Sequence, residues 1–135
     1  MIVIDASITV AWLLNETGFE ASGLNEALAR NQLVVPAHWP IEVGNALLTS
    51  VRQKRIDGSR LAQVAAELRK LNVLVEPPAA LDQLTSMIKF AADQDLTLYD
   101  AAYVDLSMRR NATLATLDKA MRQAALRLKL NVLPV

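Results

Sequence analysis

The chain of 135 residues contains no cysteine and only one histidine. Without cysteine, disulfide bonds and thiolate metal sites are excluded. The single imidazole, that of His38, argues against a zinc site, which usually takes several histidine or cysteine ligands. The four glycines are isolated from one another, so the chain lacks the glycine-rich loop with which many proteins cradle phosphates. A metal site of the thiolate or histidine-rich kind is therefore not expected in this protein.

Long apolar runs and an excess of charge of one sign are also missing. No run approaches the roughly 18 apolar residues of a membrane span, and residues 1–4 are too short for the core of a signal peptide. Acidic and basic residues number 14 each, so nucleic acid would have to be attracted by local patches rather than by net charge. We therefore expect a soluble, cytoplasmic protein without a membrane partner.

Aliphatic residues are abundant instead. Hydrophobic residues make up 53% of the chain and aromatic residues only 4%, so the core must be built from alanine, leucine and valine. The length favours one domain over residues 1–135. More apolar residues are present than a small core needs, which indicates self-association or a groove for a partner.

Short apolar runs alternate with segments of helical spacing along the chain. Buried strands are predicted at residues 1–4, 33–35, 73–75, 112–115 and 132–133. Helices are predicted from residue 7, over 18–30, from 40 into the basic stretch at 52–55, from 59, over 81–91, over 97–111 and over 118–128. This alternation predicts an α/β fold with a central parallel sheet of about five strands flanked by helices on both faces.

Four acidic residues stand where an apolar run gives way to a helix, namely Asp5, Glu42, Asp100 and Asp118. Acids at the ends of successive strands or in the first turns of helices can converge on one crevice of an α/β sheet. Carboxylates gathered in a small site repel one another unless a cation lies between them. The pattern therefore indicates a divalent metal ion held by oxygen ligands, and such an ion suits phosphate chemistry.

The first two acids also have structural interpretations. Asp5 could cap a helix, but Ser7 is the better cap candidate and no basic residue lies nearby in the sequence to pair with Asp5. An unpaired carboxylate at the end of a buried strand needs a reason, so a functional role is favoured. Glu42 would interact favourably with its helix dipole. Because Glu42 shares a polar stripe with Asn45 and Thr49, the two interpretations are balanced.

The other two acids can be interpreted in the same two ways. Asp100 completes a capping box with Thr97, although its apolar and small neighbours indicate a confined site. Asp118 taken alone is better interpreted as the cap of the last helix. Thr116 just before it adds a hydroxyl that could hold a water or a phosphate oxygen. His38 has no acid or hydroxyl motif around it and is interpreted as structural.

Four short motifs, in this order, resemble those of PIN-domain ribonucleases, and closely those of the VapC-type toxins of bacterial toxin–antitoxin pairs. Each motif alone is weak, but four at family-like spacing in a chain of family-like length are fairly specific. They are Val3-Ile-Asp5-Ala-Ser7, Ile41-Glu42-Val-Gly-Asn45-Ala-Leu47, Leu98-Tyr-Asp100-Ala-Ala-Tyr103 and Leu114-Ala-Thr-Leu-Asp118.

The resemblance implies that the four acids cluster at the C-terminal edge of the sheet as catalytic residues and metal ligands. Asp5 and Asp100 match the best-attested magnesium ligands of the family, and Glu42 and Asp118 match its second and fourth acidic positions. The implied cofactor is Mg²⁺, with Mn²⁺ as a substitute. The supporting polar positions of the family correspond to Ser7, Asn45 and Thr116.

The implied activity is metal-dependent endonucleolytic cleavage of RNA. The implied partners are a cognate antitoxin, whose C-terminal segment blocks the site, and a second copy of the chain in a homodimer. Two alternatives stay open: another metal-dependent phosphate enzyme, such as a phosphatase, and a non-catalytic module that binds a partner. Candidates for phosphate contacts, which could equally be solvated helix ends, are Arg52, Lys54, Arg55, Arg109 and Arg110.

Overall fold

The computed structural model describes residues 1–14 and 23–134. Its five strands form one sheet in the order β3-β2-β1-β4-β5, and every neighbouring pair is parallel. The strands predicted from the sequence are confirmed to within one residue at each end. They are β1 (Ile2–Ile4), β2 (Leu33–Val35), β3 (Val73–Val75), β4 (Thr113–Ala115) and β5 (Val132–Leu133).

Seven α-helices connect these strands within the described residues. The helix predicted over residues 18–30 is seen from residue 24, and its first part lies outside the described residues. The helix predicted from residue 81 begins with a 3-10 turn. The helices are α1 (Ala6–Leu13), α2 (Leu24–Arg30), α3 (Trp39–Arg52), α4 (Leu61–Arg69), α5 (Leu84–Asp93), α6 (Leu98–Arg110) and α7 (Lys119–Arg127).

The order of the strands reverses between β1 and β4. The chain runs outward from β1 through β2 to β3, and then returns to the other side of β1 to form β4 and β5. Right-handed crossovers therefore place the first four helices on one face of the sheet and the last three on the other. On the first face α1 packs against α3 and α4, and on the second α6 packs against α5 and α7. The predicted α/β class is confirmed.

The core is aliphatic, as the composition predicts. All residues of β1 and β2 are buried, together with Leu114 and Ala115 of β4. The edge strand β3 differs, because Leu74 and Val75 are nearly half exposed. Within the described residues, no helix is long and apolar enough to cross a lipid bilayer. The buried central strands hold their two carboxyl ends rigidly side by side at the reversal point, which is where α/β sheets form ligand sites.

Candidate active site

Asp5 directly follows β1, and only 2% of its surface is exposed. It is the N-cap of α1, since its Oδ1 accepts a hydrogen bond of 2.9 Å from the amide of Ile8. The expectation that Ser7 caps this helix is wrong. Ser7 lies inside α1, and its hydroxyl is 2.7 and 2.8 Å from the two carboxylate oxygens of Asp5. These contacts fix the orientation of a buried carboxylate at the end of the strand.

The loop that follows β4 is joined to Asp5 by Thr116. The Thr116 hydroxyl donates to Oδ2 of Asp5 at 2.5 Å and accepts a hydrogen bond of 3.0 Å from the amide of Asp118. The amide of Leu117 donates to the Ser7 hydroxyl at 3.2 Å. Because β1 and β4 are neighbouring strands, the two loops leave the sheet side by side, and these hydrogen bonds join them.

Two of the candidate acids stand at the starts of helices, as predicted. Asp118 is the N-cap of α7, and its Oδ1 accepts a hydrogen bond of 2.8 Å from the amide of Met121. Asp100 lies in the first turn of α6, where its amide donates to the hydroxyl of the N-cap residue Thr97 at 3.1 Å. The prediction that Asp118 caps the last helix is confirmed, whereas of the predicted capping box only the bond from the Asp100 amide to Thr97 is seen. Carboxylate oxygens of both acids stay available for other contacts.

The carboxylates influence one another electrostatically. Burial raises the pKa of Asp5, and the charge of Asp118 raises it further, whereas the hydrogen bonds that Asp5 accepts lower it. Burial also raises the pKa of Asp100, and the charges of Asp118 and Glu42 add to this effect. Repulsion between like charges requires that they be near one another. Each of the four acids therefore lies within electrostatic reach of at least one other: Asp5 of Asp118, and Asp100 of Asp118 and Glu42.

Acids can influence the pKa values of one another without being close enough to bind the same metal ion. Across residues 1–14 and 23–134, no three histidine, aspartate or glutamate side chains are placed so that they could hold one ion together. The structure brings Asp5 and Asp118 together through Thr116, and it places Asp100 near Asp118 and Glu42. Binding of one ion by several of these acids would therefore need bridging waters or side-chain rotation.

Glu42, in the first turn of α3, has two neighbours that sequence reasoning missed. The Tyr103 hydroxyl donates to Oε1 of Glu42 at 2.6 Å, and Nε2 of His38 lies 3.2 Å from the same oxygen. His38 and Glu42 are four positions apart, so helical spacing could have revealed this pair. Tyr103 lies 61 positions away from Glu42, and no local pattern indicates that contact.

The remaining predicted residues fall into two groups. Asn45, Arg52, Lys54 and Arg55 are exposed on or just beyond α3, and the basic residues begin about 15 Å along the helix from Glu42, at about 1.5 Å per residue. Arg109 and Arg110, at the end of α6, both donate to the Glu76 carboxylate at 2.9–3.3 Å. The structure thus gives these two arginines a partner within the protein.

Two clefts lie next to neighbours of the acids, although none of the four acids is among the described residues that line them. One, of about 310 Å³, runs between α1 and α3 from Ser7 and Leu117 to Gln53 and Arg55. The other, of about 590 Å³, lies between α5, α6 and the loops after β2 and β3, and His38 is among its walls. Both are of a size that can accept part of a ligand. The first leads from Ser7, which contacts Asp5, to the basic end of α3.

Comparison with known proteins identifies the family to which the chain belongs. Residues 2–126 match the PIN domain family. The chain therefore belongs to the PIN-domain family, and the resemblance seen in its motifs is confirmed. Among curated proteins, it is 33% identical over 125 residues to Ribonuclease VapC3 of Mycobacterium tuberculosis, from the strains CDC 1551 / Oshkosh and ATCC 25618 / H37Rv. This match covers 91% of the chain and 86% of the relative.

Solved structures with the same fold include two at low sequence identity. PAE2754 from Pyrobaculum aerophilum has a TM-score of 0.70 and 23% identity, over 97% of this chain and 81% of that one. FitAcB from Neisseria gonorrhoeae has a TM-score of 0.56 and 19% identity, over 98% of this chain and 96% of that one. At such identities these likenesses concern the fold alone, which they confirm.

Proposed function

We propose that this protein is a Mg²⁺-dependent endoribonuclease that acts as the toxin of a toxin–antitoxin pair. The observation that carries the proposal is the joining of Asp5 and Asp118 by Thr116 at the reversal point of the sheet, with Asp100 in electrostatic reach. Membership of the PIN-domain family and the 33% sequence identity to Ribonuclease VapC3 support RNA as the substrate.

The chemistry of the donor atoms fits a hard divalent cation. The site offers carboxylate and hydroxyl oxygens, which are the ligands that Mg²⁺ and Mn²⁺ prefer. The raised pKa values of Asp5 and Asp100 support the fit, because a cation would favour the ionised forms that desolvation and the neighbouring carboxylates disfavour. Mg²⁺ keeps several waters and uses few protein carboxylates. Asp5 and Asp100 would hold it, with Glu42 and Asp118 acting directly or through waters.

A bound Mg²⁺ would supply Lewis-acid chemistry for hydrolysis of a phosphodiester. The contribution of the protein itself is orientation. Ser7 and Thr116 contact both oxygens of Asp5, so this carboxylate does not have to be reorganised when it acts. Its burial also strengthens its interaction with a cation, since the local dielectric constant is lower than that of water.

The cleft between α1 and α3 is the path we propose for RNA. It begins at Ser7 beside Asp5 and ends near the basic end of α3, where Arg52 and Lys54 are exposed. A strand in this cleft would place phosphates near those cations. The proposed protein partners are a cytoplasmic antitoxin that blocks the site and a second copy of the chain. Exposed apolar residues such as Leu74, Val75 and Ile88 support such an interface.

The proposal is tested by inducing three proteins in a bacterial host without antitoxin: wild type, Asp5→Asn and Asp93→Asn. Asp93→Asn is the matched control, because it makes the same change at an exposed helix end. Growth and soluble protein level are followed together. Arrest by wild type and the control, but not by Asp5→Asn, is expected at equal protein levels.

Equal arrest by Asp5→Asn would contradict a carboxylate-dependent nuclease and would favour a binding module. Purified protein provides the second arm, with total bacterial RNA as the probe. Cleavage should require Mg²⁺, stop with a chelator and be lost in Asp5→Asn. Intact RNA together with release of inorganic phosphate from a small phosphoester would instead indicate a phosphatase.

A further inference from the structure

The Glu42 carboxylate is held through only one of its two oxygens. Oε1 accepts the hydrogen bond from the Tyr103 hydroxyl at 2.6 Å and is the oxygen 3.2 Å from Nε2 of His38. In the part of the chain that the structure describes, no hydrogen bond reaches Oε2. The two oxygens of Glu42 are therefore not equivalent, and Oε2 is the one available to a ligand.

The imidazole of His38 is fixed in its orientation. Its Nε2 lies between two acceptors, the Glu42 carboxylate at 3.2 Å and the Tyr99 carbonyl at 3.1 Å, so this nitrogen must carry a hydrogen. The ring also packs edge-to-face on Tyr99 and Tyr103, with centroids 5.5 and 5.2 Å away. Such aromatic pairs are favourable, so the ring is held with Nε2 on the Tyr99 carbonyl and 3.2 Å from Oε1 of Glu42.

Tyr103 links Glu42 to another acid of the site. It is 1% exposed and lies three positions after Asp100 on α6, so the two side chains are neighbours on the helix surface. The Tyr103 hydroxyl donates to Oε1 of Glu42 at 2.6 Å, and a carboxylate can only accept in such a pair. One helix thus supplies a candidate metal ligand and also orients a carboxylate of α3.

We propose that Tyr103 and His38 are positioning residues of the nuclease, which hold Oε1 of Glu42 and leave Oε2 as the single oxygen that serves the metal or its water. This inference rests on the proposed function. Groups that orient a metal-binding carboxylate typically change metal affinity by about 10- to 100-fold when they are removed. If Tyr103 and His38 were purely structural, removing them would change the stability of the protein. It would not change metal affinity in a way that depends on the presence of Glu42.

The test measures binding of Mn²⁺ by calorimetry to purified protein, together with kcat and KM for RNA cleavage. Tyr103→Phe removes only the hydroxyl, and His38→Leu removes the donor. His38→Gln keeps an amide N–H that can reach Glu42. We expect Tyr103→Phe and His38→Leu each to weaken Mn²⁺ binding by about tenfold, and His38→Gln to restore most of the affinity.

A double-mutant cycle with Glu42→Ala shows whether Tyr103 acts through Glu42. In the Glu42→Ala background, Tyr103→Phe is expected to change Mn²⁺ affinity by less than about twofold, because the group that it positions has been removed. A full tenfold loss in that background would overturn the proposal. Should Tyr103→Phe fail to fold, the same cycle is run with His38→Leu, whose site is partly exposed.

Asp5→Asn is measured alongside these variants so that the two proposals can fail separately. If Asp5→Asn binds Mn²⁺ as wild type does, the proposed metal site is wrong, and the positioning role fails with it. If Asp5→Asn loses binding while Tyr103→Phe and His38→Leu keep wild-type affinity and kcat, only the positioning role is wrong.

Discussion

The hydroxyl of Thr116 donates a hydrogen bond to Oδ2 of Asp5, although the two residues are 111 positions apart in the chain. Each follows one of two neighbouring parallel strands, so the hydrogen bond crosses the point where the order of strands in the sheet reverses. The same hydroxyl accepts the amide hydrogen of Asp118. One small side chain therefore sets the relative placement of two candidate metal ligands.

Replacement of this hydroxyl should be costly because it is buried. Thr116→Val keeps the shape but leaves the amide of Asp118 without its acceptor, and Oδ2 of Asp5 keeps only its contact with the Ser7 hydroxyl. We expect the free energy of unfolding to fall by about 1–3 kcal/mol. Thr116→Ser keeps the hydroxyl and loses one methyl group, which should cost no more than about 1 kcal/mol. Urea unfolding of both variants measures the difference, and equal losses would mean that packing, not the hydrogen bond, matters here.

Stability of the metal-free protein should depend on pH through Asp5 and Asp100. The pKa of each is raised in the folded state above the ordinary value of 3.8, so folding is favoured when they are protonated. The stability that the two protonated carboxyl groups contribute is fully present below pH 3.8. It is lost as the pH rises through their folded-state pKa. In Asp5→Asn the group no longer titrates, and asparagine can still cap α1.

The free energy of unfolding, measured in chelator from about pH 3 to about pH 8, should thus fall more in wild type than in Asp5→Asn. The variant is expected to gain stability relative to wild type as the pH rises. Parallel curves for the two proteins would show that Asp5 has an ordinary pKa. Excess Mg²⁺ should narrow the gap at high pH, because a ligand that binds the ionised site stabilises the folded wild type.

The two groups of basic residues should behave differently when their charge is removed. Arg52 and Lys54 are exposed and, among the described residues, have no ion-pair partner. Arg52→Gln and Lys54→Gln should leave stability within about 0.5 kcal/mol of wild type. Each should also reduce the slope of log RNA affinity against log salt concentration by about one unit, since one phosphate contact is lost. Binding to uncleaved RNA by Asp5→Asn protein, titrated at several salt concentrations, measures this slope. An unchanged slope would place the RNA elsewhere.

Removal of the Arg109 charge should affect the stability of the protein more than its affinity for RNA. Its hydrogen bond and charge lower the pKa of Glu76, whose side chain is 14% exposed, and Arg110 adds to this effect. Because the pKa of Glu76 is lowered, its ionised form stabilises the folded state above pH 4.5, the ordinary pKa of a glutamate. This contribution is lost as the pH falls through the folded-state pKa of Glu76. Because Arg109 is half exposed, Arg109→Gln should cost about 1 kcal/mol or less at neutral pH.

That cost should vanish in acid, where Glu76 is protonated with or without its arginine. Urea unfolding of Arg109→Gln and wild type at neutral and at acidic pH tests this directly. A loss that is the same at both pH values would show that the aliphatic part of Arg109, not its charge, stabilises the fold.

The strands and most of the helices could be predicted because their signals are local. Ile2–Ile4 and Leu33–Val35 are short, continuous runs of β-branched and aliphatic residues, which are typical of buried parallel strands. Thr97 and Asp118 cap helices that follow them directly in the chain. The cap of α1 was predicted wrongly, since Asp5 and Ser7 are both good caps, and the hydrogen bond from Thr116 that fixes Asp5 comes from a distant strand.

The hydrogen bonds that orient the acidic side chains join residues far apart in the chain, and they cannot be predicted from a single sequence. Tyr103 meets Glu42 across 61 positions, and Glu76 meets Arg109 across 33. The four acids could be named because each stands at a boundary between elements. Their partners could not be, because a tyrosine or an arginine inside an amphipathic helix has many equivalent interpretations until the helix is packed.

The end of α7 offers a way to stabilise the protein without touching the site. Lys129 adopts a left-handed conformation with φ of 61°, and the amide of Leu130 then donates back to the carbonyl of Ala125 at 2.9 Å. This helix ending favours glycine, because other residues pay for the contact between Cβ and the backbone. Lys129→Gly should therefore raise the free energy of unfolding by up to about 1 kcal/mol, even after the greater freedom of glycine in the unfolded chain is deducted. Lys129→Ala removes the same charge but keeps Cβ, so it should give no gain. If both variants were stabilised equally, the charge rather than the backbone conformation would be responsible.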